Sequence, residues 1–421
     1  MDLHLQGGFY RWSVVLMSLF VSVLVVVEPH HAVASSRRTT FTLFSGAPPD
    51  PPIVGLCESS IIIHGYQCQE FYVKTEDGYV LNMQRIPRGR SGSGLLNNMK
   101  QPVLLQHGVL VDGMTWVLNT PEQALPFILA DSGFDVWIAN TRGTRFSRSH
   151  LTLDASQRAY WNWSWDELVE YDLPATIDFL YRQTGQKIHY VGHSMGTLIA
   201  LASFSEGKLV DKLKSAALLS PVAYLSHMTT AIGVLAARSF VGEMTKLMGV
   251  AEFNPKGKEV ANLLHSLCMN PSVDCYDLMT SFTGKNCCLN VSTVDLFLKN
   301  EPQSTSTKNM VHLAQTARKG LVSKYDYEKK DVNMEHYGQG TPPIYNLSNV
   351  PRDLPLFLSY GGRDALSDVG DVELLLDSLK FHNGDKLTTL FLKDYAHADF
   401  IMAVNAKEMV YNALIAFFRR H

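Results

Sequence analysis

Gly192-His193-Ser194-Met195-Gly196 lies between a β-rich run, Ile188-His189-Tyr190-Val191, and a helix-forming run, Thr197-Leu198-Ile199-Ala200-Leu201. A serine bracketed by glycines at a strand-to-helix junction constrains the fold more than any other feature of this chain. The turn is too tight for Cβ atoms on its flanks, and it lifts the serine hydroxyl clear of the sheet at a helix N-terminus. A bare G-x-S-x-G arises by chance, but with a strand before it and a helix after it the motif points to a nucleophile. The bland alternative is a glycine-rich turn carrying an ordinary serine.

Such a turn needs a sheet, and the remaining patterns supply one. Runs at 70–75 and 79–83 flank Asp77-Gly78 and predict a hairpin. Pro102 to Leu105 reads as a buried strand leading into His107-Gly108, and Asp135 to Ala139 as another. Further strands are expected at 187–191, 216–219, 354–359 and 387–392, with helical spacing at 123–131, 166–183, 197–204 and 372–379. Strands alternating with helices predict an α/β chain with a mainly parallel sheet. Residues 222–350 break the rhythm, with helical apolar spacing, several methionines and no clear strand. They are expected to form a helical cap inserted between two parts of one core, 35–221 and 351–421. The 421 residues would suffice for about three average domains, but a large α/β protein can use them in one body.

A serine hydroxyl attacks only when a base takes its proton. On this kind of scaffold the acid and the histidine follow the serine in the chain, each at the carboxyl end of a later strand. Only His397 comes shortly after the last expected strand, and it is expected to be the general base and acid. Asp364, on the turn Tyr360-Gly361-Gly362-Arg363-Asp364, is expected to orient its imidazole. Asp368 is the rival, and Asp371 is expected to open the next helix. The oxyanion donors are expected to be the backbone N–H groups of Met195 and Val109, with Gly108 allowing close approach. His107 and His193 are expected to support these groups from behind. The chemistry calls for no metal and no organic cofactor.

The N-terminus bears on compartment. Ser13 to Val27 carries no charge, follows Arg11 and precedes Ala32-Val33-Ala34, the pattern of a signal peptide ending at 34. Its fifteen residues fall short of the roughly 20 that span a bilayer, so an uncleaved anchor is the lesser reading and no transmembrane segment is expected after cleavage. Secretion would allow a Cys57–Cys68 bridge and further pairing among Cys268, Cys275, Cys287 and Cys288; zinc on four cysteines is the weaker alternative, for want of any CxxC. Asn162, Asn290 and Asn346 stand in glycosylation sequons. With 37 basic against 40 acidic residues, a nucleic-acid partner is excluded.

Whole runs of the chain resemble the acid lipase family, the gastric and lysosomal-type lipases. They include His64-Gly65-Tyr66, LLQHG at 104–108, GFDVWIANTRG at 133–143, SWDELVEYDLPATIDF at 164–179, HYVGHSMG at 189–196, LSPVA at 219–223, and the carboxyl-terminal GGRD and HADF. The resemblance implies an α/β-hydrolase fold with an inserted cap, a neutral lipid substrate at a lipid–water interface, and hydrolysis of triacylglycerols or sterol esters. It places the nucleophile on Ser194, the acid on Asp364, the base on His397 and the oxyanion donors on Val109 and Met195. Met195 departs from the glutamine usual in the animal enzymes, and the leader and the 88–99 loop look more like plant members. The expected location is extracellular, or the vacuolar or lysosomal lumen. Apolar cap residues (Ile232, Val234, Leu235, Phe240, Met244, Leu247, Met248) suit an acyl tunnel or lid, although such stripes are usually core. Two other readings remain open, an esterase or acyltransferase acting on smaller esters, and a catalytically silent binding protein on the same scaffold.

Overall fold

A computed structural model describes residues 54–90, 99–230, 233–234, 237, 249–257 and 278–421. The leader, Cys268, Cys275 and all the apolar cap residues named above except Val234 lie outside these. Two strands, β1 (Gln69–Lys74) and β2 (Tyr79–Ile86), form the hairpin around Asp77-Gly78. Then follow β3 (Pro102–Gln106), a helix α1 (Leu125–Asp131), β4 (Asp135–Ala139) and the short β5 (Ser149–His150). Next come α2 (Leu173–Thr184), β6 (Ile188–His193), α3 (Met195–Ser205) and β7 (Leu213–Leu219). The order across the main sheet is β1-β2-β4-β3-β6-β7, continued by β10 (Leu356–Gly361) and β11 (Leu387–Leu392), with β5 paired to β2. From β4 to β11 every neighbouring pair is parallel, and the hairpin runs antiparallel at one edge.

The central strands are buried at nearly every position because both faces are covered. Leu104, Trp137, Tyr190, Leu218 and Leu358 point into one core, with α2 and α3. Their neighbours Val103, Leu105, Val191, Leu219 and Phe357 point into the other, with α1 and the carboxyl-terminal helix. α2 has Pro174 in its first turn and ends at Gly185, whose φ of 64° would strain a residue bearing a Cβ. α3 is buried on all sides, which suits a helix apolar all round.

Between β7 and β10 the described chain is chiefly helical, with α4 (Val291–Asn300), α5 (Thr307–Lys319) and α6 (Lys330–Tyr337). Contrary to expectation it holds strands as well, β8 (Glu252–Phe253) and β9 (Thr305–Ser306), an antiparallel pair. Two-residue strands are too short to show a period of two, so the sequence pattern misses them. After β10 come α7 (Val369–Ser378), β11 and α8 (Asn412–Arg420). Among the described residues no helix is long and apolar enough to cross a membrane.

Candidate active site

Ser194 occupies the corner between β6 and α3 with φ 56° and ψ −124°, a conformation rare outside glycine. The surroundings explain why both flanking glycines are needed. A Cβ on Gly192 would fall 2.8 Å from the Gly196 carbonyl, and one on Gly196 would fall 2.5 Å from the Gln106 oxygen. The turn is held from below by the Tyr190 hydroxyl, which donates to the Gly196 carbonyl at 2.6 Å, and by the Thr197 hydroxyl, which donates to the Ser194 carbonyl at 2.6 Å.

The loop after β3 lies directly over the serine. A Cβ on Gly108 would be 2.8 Å from Ser194 Cβ and 3.2 Å from its Oγ, so the backbone entering Val109 comes as close as a residue without a side chain allows. His107 holds this loop in the neutral form. Its Nδ1 donates to the Gly108 carbonyl at 2.8 Å and its Nε2 accepts Thr141 N–H at 3.0 Å, while burial lowers its pKa. Met195 begins α3, and its sulfur accepts a contact from Asn309 Nδ2 at 3.6 Å. The side chain that stands where glutamine is usual is thus anchored to α5, a partner with no signal in the sequence.

His397 and Asp364 come together across 33 residues. The imidazole Nδ1 lies 3.0 Å from each carboxylate oxygen of Asp364, and Nε2 has no partner among the described residues. Burial would push the Asp364 carboxyl up. His397 and the N–H groups of Ser367 and Leu366 outweigh it and hold the pKa below the ordinary range. The rival carboxylates are engaged elsewhere. Asp368, not Asp371, caps α7, accepting Gly370 N–H at 2.8 Å. Asp371 reaches back to Ser226 and His227. His193 donates from Nε2 to the His397 carbonyl at 3.0 Å, and burial lowers its pKa to about 3, so it stays neutral there.

A short segment with no motif of its own ties the loops bearing Asp364 and His397 together. The Thr283 carbonyl accepts N–H groups from both His397 (3.1 Å) and Ala365 (3.4 Å). Gly284, at φ 88°, leaves no room for a Cβ beside Arg363 and Ala365, the neighbours of Asp364. Asn286 accepts Ala398 N–H at 3.2 Å. Nothing in local sequence could reveal these contacts, whose partners lie far apart along the chain. Among the described residues two disulfides are present, the expected Cys57–Cys68 and one between the adjacent Cys287 and Cys288, which takes up two of the sulfurs in the zinc alternative. Asn162, Asn290 and Asn346 are exposed on the surface and take no part in the site.

Sheet order, elbow serine and paired His–Asp define the class, the α/β hydrolases. A family model described as "alpha/beta hydrolase fold" matches residues 101–401, and one described as "Partial alpha/beta-hydrolase lipase region" matches 57–120. The triacylglycerol lipase 2 of Arabidopsis thaliana is 60% identical over 385 residues, covering 91% of this chain and 92% of that protein. The human lysosomal acid lipase/cholesteryl ester hydrolase is 37% identical over 385 residues, covering 88% and 92%. A soluble variant of a monoglyceride lipase from Saccharomyces cerevisiae, solved with a substrate analogue, superposes with a TM-score of 0.52 at 15% identity, covering 85% of this chain and 95% of that one. The chain belongs to the acid lipase family, and within it is similar to the plant triacylglycerol lipases. It is a lipid ester hydrolase.

Proposed function

We propose that the chain is a secreted serine lipase that hydrolyses triacylglycerols or related neutral lipids, sterol esters among them, through an acyl-enzyme on Ser194. The observation that carries this reading is the His397 imidazole, with one nitrogen against both Asp364 oxygens and the other without a partner among the described residues, on a loop whose His397 carbonyl accepts from His193, the neighbour of Ser194 in its strained elbow. His397 Nε2 takes the Ser194 proton as Oγ attacks the ester carbonyl. The N–H groups of Val109 and Met195 receive the oxyanion, on donors already aimed before charge develops. The imidazolium, stabilised by Asp364, protonates the departing alcohol. The imidazole, neutral again, takes a proton from water as that water attacks the acyl carbonyl, and returns it to Ser194 Oγ as the acyl bond breaks and the fatty acid leaves. No step calls for a metal or an organic cofactor.

The relatives' names support a neutral lipid substrate, one naming triacylglycerol and another cholesteryl ester. Segment 222–350 serves as the cap over the site. The leader at 1–34 directs the chain to the extracellular space or to a vacuolar or lysosomal lumen, where Asn162, Asn290 and Asn346 would carry glycans. Ser194→Ala is expected to lower kcat on triacylglycerol by about 10⁴-fold or more while the fold persists. Unchanged hydrolysis by the purified variant overturns the assignment.

A further inference from the structure

Asp399 lies two residues beyond His397, is fully buried and belongs to no part of the triad. Its carboxylate accepts three backbone N–H groups, from Ala396 at 2.7 Å and from Cys287 and Cys288 at 3.1 Å each. The Cys287 and Cys288 groups fall on different oxygens of the carboxylate. The same short segment receives Val404 N–H on the Cys288 carbonyl at 2.9 Å and bridges Leu289 to Ala403. Together with the Thr283 and Asn286 contacts, these bonds clamp the loop bearing His397 on both sides.

The clamp contains the Cys287–Cys288 bond, which closes a small ring across one peptide unit with Cα atoms 3.7 Å apart. A ring of that size restricts the backbone torsions of both residues, and so helps to fix where their two N–H groups point. Cys287 is exposed, and the pair lines a cavity of about 420 Å³ with Arg363, Lys393 and Asp394. Arg363 is paired to Asp394 at 2.9 Å, which leaves Lys393 as the surplus positive charge. Such a cavity suits a small thiol that carries carboxylates, which can bring its sulfur to the disulfide while its charge meets the lysine.

We infer that the Cys287–Cys288 bond is a thiol-exchange site, and that its redox state reaches His397 through the Asp399 clamp. The inference rests on reading His397 as the base. In the first step the thiolate of a small carboxylate-bearing thiol attacks Cys287 Sγ. The Cys287–Cys288 bond breaks and Cys288 leaves as a thiolate, which takes a proton. A second thiolate then attacks the outer sulfur of the mixed disulfide and Cys287 leaves as a thiolate. Two small thiols are thereby oxidised to their disulfide and two electrons pass to the chain. With the ring open, the 287–288 backbone can turn its N–H groups away from Asp399, and the His397 loop loses that side of its clamp. Asp399 is a positioning residue here, since it touches neither the reacting atoms nor the imidazole in the contacts described.

The test uses the full chain, untreated and treated with glutathione, followed by trapping of free thiols with iodoacetamide and peptide mapping. Labelling is expected at Cys287 and Cys288 and not at Cys57, which is buried. With it, kcat is expected to fall by about tenfold or more, since small misplacements of a catalytic group are expensive, and to recover on reoxidation. KM is expected to stay within about twofold, because lipid binding is not altered. The double variant C287S/C288S is expected to have the lowered kcat and to ignore glutathione. Full kcat in a protein labelled at both cysteines overturns the inference, as does full kcat in the double variant. A non-reduced map joining either cysteine to some other cysteine also overturns it. If the double variant fails to fold, the treated native chain decides alone. The untreated chain and Ser194→Ala test the serine reading separately, so the two can fail independently.

Discussion

At the scale of single residues, the absence of a side chain matters as much as its presence. Gly108 has no left-handed conformation to explain it, yet an added methyl would meet Ser194 Cβ at 2.8 Å. Gly108→Ala should therefore leave the melting temperature close to that of the parent while displacing either the Ser194 hydroxyl or the Val109 N–H. A loss of about 10²-fold in kcat is expected, measured beside the thermal transition. Wild-type turnover would mean that the loop over Ser194 is freer to move than its packing implies. The glycines around Ser194 were readable from the chain because the elbow is a local motif. The partner of Met195 was not, since Asn309 reaches its sulfur across 114 residues. The aspartates of α7 are another case, with Asp371 in the first turn of the helix but not at its cap. Asp368 rather than Asp371 caps α7, because a cap depends on where the helix begins, and sequence places helix ends only to within a few residues.

At the scale of elements, the hairpin, the turn after β4 and the start of α2 are joined by one side chain. Arg142 is 1% exposed and sits between Asp77 of the hairpin turn (2.5 Å) and Asp172 at the entry to α2 (2.6 Å). Its guanidinium also stacks over the Tyr79 ring at 3.9 Å. That junction gives the Asn-Thr-Arg-Gly turn and the Glu-Tyr-Asp run a structural purpose distinct from chemistry. Removing the cation would leave Asp172 buried and uncompensated, so Arg142→Met is expected to destabilise the chain by about 3–5 kcal/mol, read by denaturant unfolding. A change below 1 kcal/mol in that measurement would show that water reaches Asp172 and that the junction is dispensable. Element identities were largely legible because burial leaves period-two and near-continuous apolar patterns in the strands. The β8–β9 pair was not, being shorter than any period it could display.

At the scale of the whole molecule, the segment between β7 and β10 meets the core through a buried acid. Asp166 accepts Tyr325 N–H at 2.7 Å and the Tyr345 hydroxyl at 2.9 Å, and burial pushes its pKa up to about 7. A carboxyl whose folded pKa is raised favours the folded state most when protonated. Its contribution is full below the ordinary carboxylate range and fades as pH rises through about 7. The segment between β7 and β10 should therefore be held more firmly in acid. Asp166→Asn, which resembles the protonated form, should lose less stability than the parent between pH 4 and pH 7.5, by about 2–4 °C in melting temperature. Parallel pH profiles for the two proteins would place the Asp166 carboxylate in a more hydrated setting. By itself the sequence determined what depends on neighbours along the chain, namely the elbow serine, the strand–helix alternation and the family to which whole runs conform. Only the tertiary structure decided what depends on distant partners meeting. It set Asp364 against His397, laid Gly108 over Ser194 and closed the Thr283–Cys288 clamp around the loops that bear Asp364 and His397. The physical reason is that propensity and periodicity act over a few residues, whereas a hydrogen bond between loops exists only once the packed core has brought their backbones within reach.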